Sequence, residues 1–158
     1  MLISYLRRRN QTALGMALRI IEHGSDDYRR MVGLREEILR KPLGLAFSPE
    51  DLEAEKEDIL VAAFEEERLV ACCLLTVKDE TTAKLRQMAV NHEVQGKGVG
   101  RALIHFAEAV ARDHGFRKIS MHARKTVTGF YEKMGYSICG SEFQEVTIPH
   151  FVMEKALL

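Results

Sequence analysis

The stretch "VNHEVQGKGVGRALIHFAEAVARDHG", Val90 to Gly115, places three glycines within five residues and continues directly into an amphipathic segment. Apolar residues recur at helical spacing from Val99 through Leu103 and Phe106, which predicts a helix that ends at Gly115. Glycines let the backbone approach an anion closely, and the first amides of a helix favour negative charge. The stretch therefore predicts a strand, a loop that binds phosphate or pyrophosphate, and a helix.

Two familiar glycine-loop motifs do not fit this stretch. A P-loop requires GxxxxGK[ST], whereas Gly100 is followed here by Arg101. A dinucleotide fingerprint requires GxGxxG close to the end of a strand, whereas the pattern here is GxGxG and five residues separate Val90 from Gly96. A simple tight turn is the remaining alternative, but a turn does not require the polar residues around these glycines. The pattern favours an anion site.

Composition restricts the class of protein. The chain has 158 residues, of which 46% are hydrophobic, and its 23 basic and 23 acidic side chains give no net charge. This balance predicts neither a nucleic-acid partner nor a membrane partner. The three cysteines have no metal-type spacing, and the adjacent Cys72 and Cys73 would point to opposite faces of a strand. We therefore expect no metal and a cytoplasmic location.

The N-terminal residues 1–17 differ from the rest of the chain. They contain three consecutive arginines, but no apolar run long enough for a signal peptide follows. The regular apolar pattern begins at Leu18. We expect residues 1–17 to be a flexible extension or an over-extended start, and residues 18–158 to form a single domain.

Periodicity along the remaining chain predicts alternating strands and helices. The predicted order is a strand and helix, a β-meander, two strand–helix pairs and two final strands, which indicates one mixed α/β structure. The predicted strands are centred on Leu18–Glu22, on two runs within Ile59–Val77, and on Ala83–Val90, Lys118–Ala123, Tyr136–Gly140 and Val146–Lys155. The predicted helices include one capped near Ser25 and ended by Pro42 and Gly44, one capped by Ser48, the helix after the glycine loop, and one within Thr126–Tyr136.

Two motifs in sequence resemble a known family. The stretch "LRQMAVNHEVQGKGVGRALI" resembles the acyl-CoA-binding motif of the GNAT superfamily of N-acetyltransferases, whose loop reads Q/R-x-x-G-x-G/A and here runs from Gln95 to Gly100. Downstream, "GFYEKMGY", Gly129 to Tyr136, is similar to the FYxxxGF segment of the same family. The resemblance covers the chain from about Leu18 to its end. It implies a central, mostly antiparallel sheet that is splayed at the cofactor strand and flanked by helices.

The resemblance also implies a site for acetyl-CoA, without a metal. Backbone groups of Met88 and Val90 would pair with the pantetheine arm, beside a β-bulge that splays this strand. The amides from Gly96 to Arg101 would receive the pyrophosphate. The cofactor residues implied in this way are Met88, Ala89, Val90, Gln95, Gly96, Lys97, Gly98, Val99, Gly100, Arg101, Phe130 and Tyr131.

The reaction implied by the resemblance is direct attack of an amine on the thioester. Tyr131, which matches the family tyrosine, is the candidate acid that protonates the departing thiolate. Candidate bases are His122, Glu145 and His150, which lie on or near the strands that flank the tyrosine helix. A histidine suits this task because its unperturbed pKa near 6.5 lets it accept a proton at neutral pH.

The acceptor is expected to be a primary amine of a small molecule or peptide, and a homodimer is compatible with the family. A second hypothesis is a catalytically inactive acyl-CoA-binding sensor or interaction module of the same fold. The complete glycine loop and Tyr131 both favour the enzyme. Acceptor-binding loops vary too freely for one sequence to identify the amine.

Overall fold

The computed structural model describes residues 10–11 and 15–158. Most of the predicted N-terminal extension, residues 1–17, therefore lies outside the described residues. Within it, strand β1 (Asn10–Gln11) pairs antiparallel with strand β2 (Ala17–Ile21). The flexible extension and the single domain over residues 18–158 stay predictions.

Strands and helices follow one another in the predicted order. The strands after β2 are β3 (Ile59–Glu65), β4 (Arg68–Val77), β5 (Thr82–Val90), β6 (Lys118–Arg124), β7 (Ser137–Glu145) and β8 (Ile148–Ala156). The helices are α1 (Asp26–Arg35), α2 (Pro49–Glu53), α3 (Val99–Asp113) and α4 (Thr128–Glu132). These elements confirm the predicted mixed α/β class.

The chain divides into two compact units. The first unit comprises Met1–Leu75 and Gln87–Ala107, and the second comprises Thr76–Arg86 and Glu108–Leu158. The boundary passes through β4, β5 and α3, so each of these elements contributes residues to both units.

The first unit contains strands β1 to β4 in chain order, and each neighbouring pair is antiparallel. The β3–β4 hairpin turns between Glu65 and Arg68, and Glu66 in the turn has a positive φ of 56°. Strands β3 and β4 are buried on both faces, which explains why their sequences are continuous apolar runs. Cys72 and Cys73 are both buried, and Cys72 belongs to the core beneath α1.

Helix α1 covers one face of these strands. It begins after Ser25, whose hydroxyl oxygen accepts a 3.1 Å hydrogen bond from the amide of Tyr28. The helix continues as a π-helical turn and a 3₁₀ turn, and the chain then reverses at Gly44 with φ of 68°. Its buried side chains share a core with alternate residues of β3 and β4; this core contains Ile21, Tyr28, Met31, Leu34, Leu60, Ala62, Phe64, Leu69, Cys72, Leu74 and Ala89.

A buried ion pair holds the end of α1. Arg35 is fully buried and binds both carboxylate oxygens of Glu55, at 2.8 and 2.5 Å. The hydroxyl of Tyr28 donates to the same carboxylate at 2.6 Å. Because Glu55 follows α2, this network joins α1 to the segment after the second helix. Helix α2 itself starts with a reciprocal capping box between Ser48 and Asp51, which confirms the predicted cap.

The second unit contains β5, β6, β8 and β7 in that spatial order. Strands β5 and β6 are parallel, whereas β6–β8 and β8–β7 are antiparallel. The β7–β8 hairpin closes through Val146 and Thr147, which have positive φ values of 46° and 65°. Strand β7 extends to Glu145, further than the sequence predicts, and this extension fixes the position of that carboxylate.

Candidate active site

The loop between β5 and α3 is shaped by local hydrogen bonds. Asn91 Oδ1 accepts from the amide of Glu93 at 2.9 Å and caps a 3₁₀ turn at His92–Val94 that the sequence does not predict. The side chain of Gln95 then turns back, and its Nε2 donates to the carbonyl oxygen of Val90 at 2.9 Å. This bond ties the start of the glycine-rich segment to the end of β5.

The glycines of this loop leave its backbone open. Gly96 and Gly98 have positive φ values of 78° and 81°, a conformation that side chains disfavour. A Cβ atom added at Gly96 would meet no atom within 4 Å. Gly96, Lys97 and Gly98 are exposed. A ligand can therefore approach this backbone.

Helix α3 begins at Val99, directly after Gly98, and includes Gly100. Its first backbone bond runs from the amide of Ala102 to the carbonyl of Gly98, at 3.1 Å. Helix geometry leaves the preceding amides without an intrahelical acceptor, and the helix dipole favours an anion there. The side chains of Lys97 and Arg101 are exposed on either side of Gly98. This arrangement has the chemistry of an anion-binding loop.

Strand β5 leads into the loop and carries the other predicted cofactor residues. Met88 and Val90 are half-buried, and Ala89 is buried. The pairing of β5 with β6 covers Thr82 to Leu85. Two residues further, Gln87 has a positive φ of 54°, and a left-handed residue within a strand is typical of a β-bulge.

Three candidate catalytic residues come together in the second unit. Glu145 lies between His122 on β6 and His150 on β8. Its Oε1 is 3.0 Å from His122 Nδ1, and its Oε2 is 3.6 Å from His150 Nε2. The ring of Phe143 is edge-on to His122 and stacked on His150, with centroid distances of 5.0 and 5.9 Å. We call these four residues the histidine cluster.

Hydrogen bonds indicate the protonation of the two imidazoles. His150 Nδ1 lies 2.7 Å from the carbonyl oxygen of Ile148, which can only accept, so Nδ1 donates. His122 Nδ1 lies 3.0 Å from Glu145 Oε1 and 3.4 Å from Lys84 Nζ. The shorter contact favours the tautomer whose Nδ1–H donates to Glu145. This tautomer leaves His122 Nε2 with a lone pair that can accept a proton.

The charges of the cluster keep its carboxylate ionised. Burial raises the pKa of Glu145, but the hydrogen bond from His122 and the charges of His122, His150 and Lys84 outweigh it, so the pKa lies below its ordinary value. Burial lowers the pKa of Lys84, and the nearby charge of Arg86 lowers it further although Glu145 opposes the shift. Glu145 can therefore orient His122 and stabilise a positive charge on it.

The sequence predicts neither Lys84 nor Phe143 at this position. A lysine between buried Ala83 and Leu85 is an unusual residue in a strand, and this pattern could have marked Lys84 as a candidate site residue. Its proximity to His122 depends on the pairing of β5 with β6, which one sequence does not reveal.

The predicted acid belongs to a separate aromatic group of the second unit. Tyr131 lies on α4 and is 7% exposed, whereas the neighbouring Phe130 is 39% exposed. The Tyr131 ring packs edge-to-face against Phe130 and Tyr136, with centroid distances of 5.1 and 5.9 Å. These contacts fix the plane of its ring. The loop residues from Met88 to Arg101 belong to the first unit, so the predicted site residues are divided between the two units.

A groove of about 620 Å³ lies elsewhere in the first unit, between α1 and the β3–β4 turn. Glu37 and the turn Glu65–Glu67 line it together with Arg30 and Arg68. The guanidinium group of Arg68 is already paired with Glu93 at 2.6 Å. The groove contains none of the predicted catalytic residues, and its mixed charges are typical of a solvated surface.

Within residues 10–11 and 15–158, no group of three or more histidine, cysteine, aspartate or glutamate side chains has the arrangement of a metal site. In the same part of the chain, no helix combines the length and apolar character needed to cross a membrane.

Comparison with known proteins identifies related sequences. The acetyltransferase (GNAT) domain family matches residues 44–157. The uncharacterized protein YyaT of Bacillus subtilis (strain 168) is 32% identical over 76 residues, which are 48% of this chain and 51% of that protein. The chain spans about half the length of the curated relatives it matches.

Solved structures share the fold at low identity. An acyl-CoA N-acyltransferase from Pseudomonas aeruginosa has a TM-score of 0.77 at 16% identity, covering 89% of this chain and 99% of that chain. A GNAT family acetyltransferase from Elizabethkingia anophelis, solved with acetyl-CoA bound, has a TM-score of 0.69 at 18% identity, covering 90% of this chain and 98% of that chain. These likenesses confirm the predicted fold.

Proposed function

Because the chain belongs to the acetyltransferase (GNAT) domain family, we propose that it is an acyl-CoA-dependent N-acetyltransferase. It transfers an acetyl group from acetyl-CoA to a primary amine of a small molecule or peptide, and the amine attacks the thioester directly. The observation that supports catalysis, and not acetyl-CoA binding alone, is that Glu145 lies between two imidazoles. A carboxylate between two histidines is suited to moving protons.

Acetyl-CoA supplies the activated acetyl group as a thioester. In this proposal the amides from Gly96 to Arg101 hold its pyrophosphate, and backbone groups of Met88 and Val90 pair with its pantetheine arm. The positive φ values of Gly96 and Gly98 and the helix start at Val99 support this assignment. Lys97 and Arg101 add positive charge beside the phosphates.

His122 is the proposed base. Its Nε2 takes a proton from the ammonium group of the acceptor, and Glu145 stabilises the imidazolium through the Nδ1–H hydrogen bond. His150 lies on the other side of the same carboxylate, with Nε2 3.6 Å from Oε2. A positioned base of this kind typically contributes about 10²- to 10⁴-fold to the rate.

Tyr131 is the proposed acid. As the nitrogen–carbon bond forms and the carbon–sulfur bond breaks, its hydroxyl group gives a proton to the departing thiolate. The nitrogen of the new amide releases its second proton to solvent, and solvent restores the proton of Tyr131. Edge-to-face packing against Phe130 and Tyr136 supports this role because it fixes the direction of the phenol. Phe130, which is more exposed, contributes apolar surface to the cofactor site.

A cytoplasmic location and a homodimer are part of the same proposal. All three cysteines are free thiols, with Cys72 and Cys73 buried and Cys139 exposed. Free thiols are compatible with a reducing compartment. Sedimentation of the purified chain, with and without acetyl-CoA, measures the assembly.

Product formation with a panel of amines tests the function. Acetylated products are measured by mass spectrometry, because a thiol reagent would also react with the exposed Cys139. Acetyl-CoA affinity is measured in parallel by calorimetry. We expect transfer by the wild-type protein and a loss of kcat of about 100-fold or more in His122→Gln.

The sensor hypothesis predicts a different result. Acetyl-CoA binding without transfer to any amine would show a binding module, and it would leave the assignment of the loop intact. Failure to bind acetyl-CoA would contradict both hypotheses.

A further inference from the structure

Two side chains of opposite charge contact Nδ1 of His122. Glu145 Oε1 lies 3.0 Å from this nitrogen, and Lys84 Nζ lies 3.4 Å from it. A single nitrogen can donate its hydrogen to the carboxylate or accept a hydrogen from the ammonium group, but it cannot do both. When the hydrogen is directed to Glu145, the Nδ1–H group and the ammonium group of Lys84 are neighbours of like polarity. A positive charge on His122 is therefore stabilised by Glu145 and opposed by Lys84.

Strand register identifies the other charged and titratable groups around His122. Residues paired across neighbouring strands point to the same face, and so do residues two apart on a strand. Lys84 pairs with Ser120, which is two residues before His122, and His122 pairs with Val152. Within residues 10–11 and 15–158, only Lys84 and Glu145 lie within hydrogen-bond distance of an imidazole nitrogen of His122. The other charged or titratable groups on this face or on the strands beside it are Arg86 of β5, Arg124 of β6, His150 and Glu154 of β8, and Glu142 of β7.

Two of these acids are paired with other side chains. Glu154 is 3.2 Å from Lys118, and Glu142 is 2.8 Å from Lys125. Glu145 is therefore the carboxylate that acts directly on His122, and Lys84 is the cation in contact with the same nitrogen.

The position of Lys84 in its strand is unfavourable for a charged side chain. Lys84 is half-buried and lies between Ala83 and Leu85, which are both buried. Burial lowers the pKa of Lys84, and nearby positive charges lower it further although Glu145 opposes the shift. An uncharged side chain of similar length would be easier to accommodate there. A cation that is kept at a cost in stability, in contact with a candidate base, is typical of a functional position.

We propose that Lys84 is a positioning residue for the base, whose charge opposes the imidazolium form of His122 and so promotes return of the proton to solvent. This inference rests on the proposed N-acetyltransferase function and assigns a further residue to its proton transfers. In each turnover, Nε2 of His122 takes one proton from the ammonium group of the acceptor. The same proton must pass to water before the next acceptor can be deprotonated. Glu145 assists the first transfer because it stabilises the imidazolium, and Lys84 assists the second.

The pH profile of kcat tests the inference. Acetyl transfer is measured at saturating acetyl-CoA and amine, between about pH 5.5 and pH 9. Lys84→Met keeps most of the side-chain volume and removes the charge, so the acid limb of the profile should move to higher pH by about 0.5 to 1 pH unit. The kcat at about pH 6 should then fall by about 3- to 10-fold, whereas the kcat at about pH 8.5 should change by less than about 2-fold. Lys84→Gln is a second uncharged variant and should show the same displacement.

Two control variants separate the contact with His122 from other effects. Lys84→Arg keeps a positive charge at the position and should keep the wild-type profile. Lys133→Met removes an exposed lysine directly after α4, so it makes the same change in net charge away from the cluster and should also behave as wild type. Urea denaturation should show that Lys84→Met is at least as stable as the wild type, because a half-buried charge is gone. Loss of stability with an unchanged profile would give Lys84 a structural role only and would overturn the inference.

Two further results would overturn the inference and leave the proposed function standing: an acid limb that stays in place or moves to lower pH in Lys84→Met, or a Lys84→Arg profile that matches that of Lys84→Met. Titration of the His122 imidazole by NMR measures its protonation without turnover, and its midpoint should lie at higher pH in Lys84→Met than in the wild type. If no amine is acetylated, the proposed function fails. The NMR titration then still decides whether Lys84 acts on His122.

Discussion

The hydroxyl group of Tyr136 donates a 2.9 Å hydrogen bond to Oε2 of Glu108, a carboxylate that is only 2% exposed. Lys155 Nζ donates to both oxygens of the same carboxylate, at 3.1 and 3.0 Å. The three residues come from α3, from the segment after α4 and from β8, so they join three parts of the second unit. Tyr136 also contacts the ring of Tyr131.

Glu108→Gln should destabilise the protein by about 2 to 4 kcal/mol, because it leaves the largely buried ammonium group of Lys155 without its counter-charge. Tyr136→Phe removes one hydrogen bond and should cost about 1 to 2 kcal/mol. Urea denaturation measures both. Glu132→Gln, at an exposed position on α4, is the control and should change the free energy of unfolding by less than about 0.5 kcal/mol. Equal stability of Glu108→Gln and the control would contradict the role of the buried carboxylate.

Gly98→Val should weaken acetyl-CoA binding by at least about 10-fold, because the side chain blocks access to the loop amides. The positive φ of Gly98 means that valine also strains the backbone, by about 1 to 3 kcal/mol. Gly140→Val is the matched control, since Gly140 on β7 has a similar φ of 84°. Both variants should lose stability, and only Gly98→Val should lose affinity in calorimetry. Unchanged affinity would contradict the phosphate assignment.

Tyr131→Phe should lower kcat by about 10²- to 10⁴-fold and leave the dissociation constant of acetyl-CoA nearly unchanged, because only the proton donor is lost. Tyr136→Phe serves as the comparison, since it removes a hydroxyl group that is bound to Glu108. Tyr136→Phe should lower the free energy of unfolding and leave kcat nearly unchanged. A Tyr131→Phe enzyme with near wild-type kcat would make Tyr131 a packing residue.

Glu145 should make the stability of the protein depend on pH. Its folded pKa is below its ordinary value, so its contribution is present above about pH 4.3, the unfolded pKa, and is lost as the pH falls through the folded pKa. The wild type should therefore exceed Glu145→Gln in free energy of unfolding at pH 7, by less than about 1 kcal/mol because the side chain is partly exposed. Urea denaturation between about pH 3 and pH 7 should show this difference disappear in acid. If the difference in free energy of unfolding between the wild type and Glu145→Gln stayed constant over this pH range, protonation of Glu145 would not be coupled to stability.

The cysteines should differ in reactivity. Burial raises the pKa of Cys72 to about 12 and raises that of Cys73 further, whereas Cys139 is exposed. Thiolate is the reactive form, so brief treatment with iodoacetamide at about pH 8 should modify Cys139 and spare the other two. Peptide mass spectrometry counts the modified sites, and the protein in urea should show all three. Rapid modification of Cys72 in the native protein would contradict its burial.

Local signals account for most of the elements that the sequence predicts. Ser25 and Ser48 bind amides within three residues of themselves, and Gly44 and Gly98 meet a backbone requirement at their own positions. Such signals act over a single turn, so one sequence displays them completely. The π-helical turn after Arg35 and the extension of β7 to Glu145 depend on contacts with other segments. The sequence does not display those contacts.

The sequence by itself determined the α/β class, the glycine loop with its helix, and the separate candidates Tyr131, His122, Glu145 and His150. Only the tertiary structure decided that the last three share one cluster, with Lys84 and Arg124 on the same face. His122 and Glu145 are 23 residues apart in the chain, and their contact exists because β6, β8 and β7 pair in one register. A shift of that register by one residue would turn every side chain of the strand to the other face. Helical or strand periodicity identifies which residues are buried, but strand register is set by the packing of the whole sheet, and it is the register that joins these charges.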